Sequence, residues 1–261
     1  NRFRPKLEMA KDRYTRLRVV NAANVRTMNL LFKGQDPLLI ARDGQPVKPR
    51  ALNGKAIALA PGERADLLVS AAEGDVGLAL DLFEDISEIG YLIAPKGSTP
   101  PAGIADNFAL PPNPVAPLSA AEAMRTVTLT LEGGLKGGLT QAKLNGEERD
   151  LRTLLENGKG WAINGVAGPA AEPIFAAKKG ETIRLEIDNR TAFSQPLHIH
   201  GHDWQVIAEE PSGEFQDTLV IPAGEKAVVA FTADNPGLWA LHSLVAERAD
   251  GGLIGTFTVG E

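Results

Sequence analysis

The chain carries the stretch Arg-Leu-Glu-Ile-Asp-Asn at residues 184–189 and a related stretch, Arg-Leu-Arg-Val-Val-Asn, at residues 16–21. Arg, Leu and Asn occupy the same places in both, and both stretches favour a β-strand. Further along, Gly-Glu-Arg-Ala from Gly62 matches Gly-Glu-Lys-Ala from Gly224. The separation between matching positions falls from 168 to 162 residues, as small loop deletions would produce. The sequence therefore predicts two copies of one β-domain.

Short β-rich runs separated by turn residues recur through the chain, which holds 27 Gly and 18 Pro. This spacing predicts antiparallel sandwiches or barrels. Residues 97–118 interrupt the pattern, because they lack hydrophobic periodicity and contain six prolines. Such a segment is typical of an extended linker or a loop on the surface. We therefore expect a first domain over residues 1–96, a Pro-rich linker over 97–118 and a second domain over 119–261.

The two predicted copies differ at their starts. Before the repeated strand, the second copy contains a predicted strand at residues 126–131 and the stretch Trp-Ala-Ile-Asn-Gly at residues 161–165, and the first copy has no full counterpart of them. We therefore expect the first domain to lack its opening strands, and Asn1 to lie inside a larger protein.

Composition excludes several classes of function. The net charge of −6 argues against a nucleic-acid partner, and no apolar run approaches the ~20 residues of a membrane-spanning helix. The absence of cysteine excludes disulfides, zinc ribbons, iron–sulfur ligation and a thiolate nucleophile. No Ser–His–Asp arrangement or pair of carboxylates stands out, so no catalytic residue is assigned.

The histidines are clustered. Residues 195–202, Gln-Pro-Leu-His-Ile-His-Gly-His, hold three of the four, and the fourth is His242. In an extended strand, His198 and His200 would project from the same face, where two imidazoles can bind a transition metal. The alternative is that these are ordinary surface or core histidines. The fold itself does not require them, because Leu31 and Lys33 take the places of His198 and His200 in the first copy.

These motifs resemble those of a known family. Residues 195–202 resemble the His-Pro-x-His-x-His-Gly motif in the last cupredoxin domain of multicopper oxidases. Residues 235–244, Asn-Pro-Gly-Leu-Trp-Ala-Leu-His-Ser-Leu, resemble their Asn-Pro-Gly-x-Trp-x-x-His-Cys-His motif. The first half is similar to the middle cupredoxin domain. The resemblance implies an all-β fold of two tandem cupredoxin-like Greek-key β-sandwich domains, with the family's N-terminal cupredoxin domain as the missing partner. It also implies an exported or periplasmic location.

The resemblance implies a partial copper site. His198 falls at a ligand position of the type 2 copper of the family's trinuclear cluster. His200 and His242 fall at positions that bind the type 3 pair, whereas Leu244, at the next type 3 position, has no donor atom. Copper could therefore be retained by His198, His200 and His242, as one half of a site completed by histidines of the missing domain. Alternatively, the three histidines are relics.

The blue-copper positions of the family are changed. That centre needs two imidazoles and a thiolate, and here Gln195, Ser243 and Arg248 stand at the first His, the Cys and the second His. An alcohol is too weakly acidic to replace a thiolate, and a guanidinium would repel a copper ion. We therefore expect no blue copper and none of the family's usual oxidase turnover, because the thiolate that relays electrons is replaced. Residues 247–250 are predicted to form a solvated loop with local ion pairs.

Three functions follow. The first is a degenerate multicopper-oxidase-type protein, an oxidoreductase by resemblance, with copper possible at the half-site. The second is a copper-free envelope scaffold or interaction protein, similar to the cell-division protein SufI of this superfamily. The third is a copper carrier, for which three Met and four His offer few ligands.

Overall fold

The computed structural model describes residues 3–82, 85–99, 101, 103–104, 108–135, 138–207 and 213–261. The chain divides into two compact units, Asn1–Asn113 and Pro114–Glu261. The division falls inside the predicted linker, of which residues 100, 102 and 105–107 lie outside the described residues. Among the described residues, no helix is both long and apolar enough to span a bilayer.

Unit 1, Asn1–Asn113, is a sandwich of two sheets. Its strands are β1 (Lys6–Glu8), β2 (Tyr14–Val20), β3 (Met28–Lys33), β4 (Leu38–Arg42), β5 (Gln45–Ala51), β6 (Ile57–Leu59), β7 (Arg64–Ser70), β8 (Val76–Asp81) and β9 (Ile86–Ile93). One sheet has the order β2-β7-β4-β5 and the other β1-β9-β8-β3-β6. Leu39 and Leu67 of the first sheet pack with Leu30 and Ile57 of the second in one buried cluster. Burial of such apolar faces is the main force that holds two sheets together.

Unit 2, Pro114–Glu261, has the same architecture with additions. Its strands are β10 (Arg125–Gly133), β11 (Gln141–Leu144), β12 (Glu147–Asp150), β13 (Trp161–Ile163), β14 (Phe175–Lys178), β15 (Glu181–Asn189), β16 (Gln195–Ile199), β17 (Trp204–Val206), β18 (Phe215–Gln216), β19 (Thr218–Ile221), β20 (Lys226–Ala233), β21 (Gly237–Ser243) and β22 (Ile254–Gly260). Two short helices, α1 (Leu151–Glu156) and α2 (Ala246–Asp250), lie between strands. The main sheets have the orders β13-β10-β15-β20-β17-β18 and β14-β22-β21-β16-β19, and β11 pairs with β12. Leu185 and Phe231 of the first sheet share a core with Leu197 and Phe257 of the second.

The strand registers match the predicted duplication. The order β2-β7-β4-β5 corresponds to β15-β20-β17-β18, and β1-β9-β8-β3-β6 corresponds to β14-β22-β21-β16-β19. Arg16 is paired with Leu68, and Arg184 is paired with Ala230. Arg184 follows Arg16 by 168 residues and Ala230 follows Leu68 by 162, the two separations found in the sequence. In unit 2, β10 runs parallel to β15 and β13 pairs with β10. Within the described part of unit 1, no strand takes the corresponding place beside β2.

The repeated asparagine explains part of this match. Asn21 Nδ2 donates to the carbonyl of Leu59 at 2.7 Å, and Asn189 Nδ2 donates to the carbonyl of Ile221 at 3.0 Å. Each asparagine also accepts a hydrogen bond through Oδ1 from the backbone amide two residues further on. Both side chains are buried, so these bonds satisfy polar atoms that would otherwise be costly.

Candidate metal centre

Strands β16 and β21 bring the two sequence motifs together. They pair antiparallel with His198 directly opposite His242, so both imidazoles project from one face of the sheet. The pairing extends past the end of β16, because the His200 amide donates to the Ala240 carbonyl at 2.9 Å. The three histidines predicted from the sequence therefore lie side by side.

The turn after His200 is fixed by the second motif. Gly201 has a φ of +71°, and the Trp239 ring lies within 2.5 Å of the position that a Cβ atom would occupy. Asn235 Nδ2 donates to the Gly201 carbonyl at 3.2 Å, and Trp239 Nε1 donates to the Asn235 carbonyl at 2.8 Å. Only glycine fits at this position. The close contact of Gly201 with Trp239, together with these hydrogen bonds, holds His200 next to β21.

The three imidazoles are in direct contact. His200 Nε2 and His242 Nε2 are 2.8 Å apart, and the ring centroids of His198 and His200 are 4.7 Å apart. His198 Nδ1 lies 3.0 Å from the Asp217 carbonyl and 3.2 Å from Thr218 Oγ1. His242 Nδ1 lies 2.8 Å from the Ser243 carbonyl. A proton on Nδ1 of His198 and His242 satisfies these oxygen atoms and leaves each Nε2 as a lone-pair donor.

Burial favours the neutral form of two of these histidines. It lowers the pKa of His200, and the neighbouring charges of His198 and His242 lower this pKa further, whereas Asp217 opposes the change. Burial also lowers the pKa of His242, against the effect of its hydrogen bond to the Ser243 carbonyl. Neutral imidazole is the form that binds a transition metal.

The fourth histidine, His202, belongs to the core. Its ring packs against Phe231 and Phe257 and meets Trp239 edge-on. Its Nδ1 lies 3.1 Å from the His200 carbonyl, and burial lowers its pKa. His202 therefore supports the turn and stands apart from the three clustered imidazoles.

The clustered imidazoles suit copper by donor type but form a partial set. Imidazole is a common ligand of copper and zinc. Leu244 offers no donor, and the Nε2 atoms of His200 and His242 are within hydrogen-bond distance of each other. Across the described ranges, no group of three or more His, Cys, Asp or Glu side chains is arranged to hold a metal ion. Further donors are needed to complete a site.

The residues at the blue-copper positions also meet, through hydrogen bonds. Gln195 and Ser243 are fully buried, and Ser243 Oγ donates to Gln195 Oε1 at 3.3 Å. Arg248 Nη1 donates to the same oxygen at 3.0 Å. The Ser243 amide donates to the carbonyl of Leu253 at 3.1 Å. Gln195 Nε2 is satisfied by Thr191 Oγ1 at 2.9 Å. These contacts form one connected network.

The prediction of a solvated loop with ion pairs over residues 247–250 is wrong. These residues belong to helix α2, and Arg248 is half-buried, with Nη1 also donating to the Ser194 carbonyl at 2.7 Å. Its guanidinium carbon lies 5.3 Å from the ring centroid of Trp161 and 5.0 Å from that of Phe193. Burial lowers the pKa of Arg248, although Glu247 acts in the opposite direction. Aromatic contacts and two oxygen acceptors take the place of the expected ion pairs.

Sequence reasoning did not identify four residues of this region. They are the His198 contacts Asp217 and Thr218 and the aromatic partners Trp161 and Phe193. Each of these residues lies outside the segment that it contacts. The spacing of residues within the motifs therefore could not indicate it.

Two family profiles, both described as multicopper oxidase, match residues 2–77 and 143–261, and together they cover most of the chain. The multicopper oxidase MmcO of Mycobacterium tuberculosis is 28% identical over 241 residues, which are 87% of this chain and 42% of that protein. Copper resistance protein A of Escherichia coli is 35% identical over 85 residues, which are 31% of this chain and 14% of that protein.

Solved structures give the same result for the fold. The multicopper oxidase of Pseudomonas thermotolerans has a TM-score of 0.73 and 25% identity, over 98% of this chain and 57% of that one. The enzyme of Pseudomonas parafulva has a TM-score of 0.69 and 28% identity over the same shares. The chain thus spans about half the length of the relatives it matches. Two cupredoxin-like sandwiches, paired histidine motifs and matches in both halves lead to one conclusion: the chain belongs to the multicopper oxidase superfamily.

Proposed function

We propose that this chain is a degenerate multicopper oxidase portion that has no blue-copper centre and keeps a copper half-site at His198, His200 and His242. The observation that carries the proposal is the contact of Ser243 and Arg248 with Gln195 Oε1. In this arrangement the positions of the family's blue-copper ligands are occupied by groups that satisfy one another.

Chemistry at these positions disfavours a blue copper. The Ser243 hydroxyl is fully buried and donates to Gln195, so its deprotonation would need a strong compensating charge. Arg248 keeps a positive charge beside it. A thiolate is what makes such a site able to exchange electrons, and none is present. Under this proposal, the chain therefore does not use the family's usual route of electrons from a reducing substrate.

The half-site rests on the three imidazoles. Asp217 and Thr218 would orient His198, and the Ser243 carbonyl would orient His242, as carbonyl and hydroxyl partners orient ligating histidines elsewhere. Copper bound there would supply one-electron chemistry. Because the donor set is partial, we expect weak copper binding by this chain and tighter binding when further histidines are supplied by another domain.

A copper-free scaffold is the second candidate. It is favoured by the 2.8 Å approach of His200 Nε2 to His242 Nε2, since a hydrogen bond between two neutral rings satisfies one lone pair without metal. An exported or periplasmic location belongs to both candidates and rests on the family resemblance.

Calorimetric titration with copper separates the candidates. If the half-site is present, the chain should bind copper weakly, and the affinity should increase when free imidazole completes the donor set. The double variant His200→Gln, His242→Gln should bind no copper. Equal heats for wild type and this variant, with and without imidazole, would favour the scaffold.

Absorption spectroscopy tests the loss of the blue centre independently. Copper-loaded wild type is expected to lack an intense blue charge-transfer band, because no thiolate is available. The triple variant Gln195→His, Ser243→Cys, Arg248→His should acquire that band, and Ser243→Cys alone should not. An intense blue colour in the wild type would overturn the proposal.

A further inference from the structure

The guanidinium of Arg248 is only partly used by the protein. This group carries five N–H donors. Its Nη1 donates to the Ser194 carbonyl and to Gln195 Oε1, at 2.7 and 3.0 Å. Among the described residues, Nε and Nη2 have no hydrogen-bond partner, and no carboxylate oxygen lies within the 4.0 Å of an ion pair with Arg248. This half-buried cation thus has no ion-pair partner, although the charge of Glu247 acts on it from beyond 4.0 Å.

Two aromatic rings hold this cation in place. Trp161 and Phe193 contact the guanidinium at 5.3 and 5.0 Å, and their own ring centroids are 5.9 Å apart in an edge-to-face arrangement. Cation–π contacts restrain the guanidinium, and the two hydrogen bonds of Nη1 anchor it. Phe193 is 37% exposed, so the cluster is open to solvent at its rim.

The same edge of another arginine in this chain shows what it binds. Arg125 donates through Nε to Glu181 Oε1 at 2.5 Å and through Nη2 to Glu181 Oε2 at 3.3 Å. Arg16 also donates through Nε and Nη2 to a carboxylate, with both bonds going to Oδ2 of Asp66. Two parallel charge-assisted bonds make this edge selective for carboxylates.

We propose that the Nε–Nη2 edge of Arg248 binds the carboxylate of a small aromatic acid, whose ring packs on the rim formed by Trp161 and Phe193. The carboxylate supplies an ion-pair partner and two acceptors, and the ring extends an existing aromatic cluster. This site goes beyond the proposed function and needs no copper.

Sodium benzoate is the probe, and benzamide, which has the same shape without the charge, is the matched control ligand. Both are titrated at constant ionic strength into the nitrogen-15-labelled chain. The Nε–H resonance of Arg248 is assigned by its disappearance in Arg248→Met. It is expected to move with benzoate and to stay in place with benzamide.

Variants separate this edge from general charge. Arg248→Met and Arg248→Lys should each weaken benzoate binding at least about tenfold, since lysine keeps the charge but cannot form the two-point contact. Arg152→Met removes a positive charge from an 87% exposed side chain on α1 and should leave binding unchanged. If Arg248→Met does not fold, the lysine variant and the wild-type resonance still decide the question. Equal binding of benzamide, an equal loss in Arg152→Met, or full binding by Arg248→Lys would overturn the proposal.

Discussion

Gln195 and Arg248 should be energetically coupled in unit 2. The Gln195 side chain is fully buried, and Arg248 Nη1 donates to its Oε1 at 3.0 Å. A hydrogen bond to a charged group contributes about 1.5–3 kcal/mol, and the half-exposed guanidinium places this one near the lower value. Arg248→Met also removes the contacts with Trp161 and Phe193, which contribute about 0.5–1 kcal/mol each at exposed sites. We therefore expect Arg248→Met to lower the free energy of unfolding by about 2.5–3.5 kcal/mol.

Gln195→Met should cost a similar amount, because it leaves buried donors without their acceptor. In the double variant both polar partners are gone, so each substitution costs less than it does alone. A coupling free energy of about 1–2 kcal/mol is expected from the cycle, within the range found for residues in contact.

Tryptophan fluorescence during urea unfolding measures this cycle for unit 2 alone. The chain has three tryptophans, Trp161, Trp204 and Trp239, and all lie in that unit. A loss of 2 kcal/mol corresponds to a fall of about 4–8 °C in the melting temperature of a unit of about 150 residues, which gives a second measure.

A matched cycle sets the background. Arg152 is 87% exposed on α1 and bonds to Glu156, so Arg152→Met combined with Gln195→Met should be additive. Additivity within about 0.3 kcal/mol for the Gln195 and Arg248 pair itself would refute the reasoning, because it would mean that their contact carries no net free energy.

Other predictions use the same fluorescence assay. The hydrogen bond from Arg125 lowers the pKa of Glu181, and burial opposes this change. The pair therefore stabilises the fold above the unfolded-state pKa, near 4.5, and this stability is lost as the pH falls below that value. Glu181→Gln should flatten the loss of stability in acid, and an unchanged dependence of stability on pH would contradict this. Asn189→Ala removes bonds to three buried or half-buried carbonyls and should cost about 2–4 kcal/mol, whereas Asn21→Ala, in unit 1, should leave the fluorescence transition unmoved. Gly201→Ala should cost at least about 2 kcal/mol, from a left-handed backbone and a displaced Trp239 ring, and a neutral effect would show that the turn is not fixed.

The fold could be predicted because its signals are local and repeated. The residues of β2 and β15 repeat with the same arginine, leucine and asparagine, and the paired registers follow the same separations. The alternation of side chains along a strand likewise placed His198 and His200 on one face. Both arguments need only neighbouring residues and a period of two. The extents of the predicted domains and linker remain predictions.

The surroundings of the site could not be predicted in the same way. Residues 247–250, Glu-Arg-Ala-Asp, have the composition of a charged surface loop, yet Arg248 turns toward Gln195 and stacks on Trp161. Its environment is made by β13, by residues 191–195 and by α2, which meet only in the folded unit. The contact of Asp217 with His198 is of the same kind. His198 lies in β16 and Asp217 directly precedes β19, and the two strands come together only when they pair in the folded sheet. Sequence spacing within one segment does not report such contacts.

The two units share a sheet order but differ in the residues at the histidine positions. In unit 1, Leu31 is paired with Ala79 at the register position where unit 2 pairs His198 with His242, and the sheet order is the same. Strand pairing at this place therefore does not depend on the histidines. Buried polar residues such as Gln195 and Ser243 would be costly if they were unpaired, and the contacts made by Gln195 remove that cost. Under the proposed function, this network is what allows the core to lack a thiolate, and copper binding depends on whether further donors reach the three imidazoles.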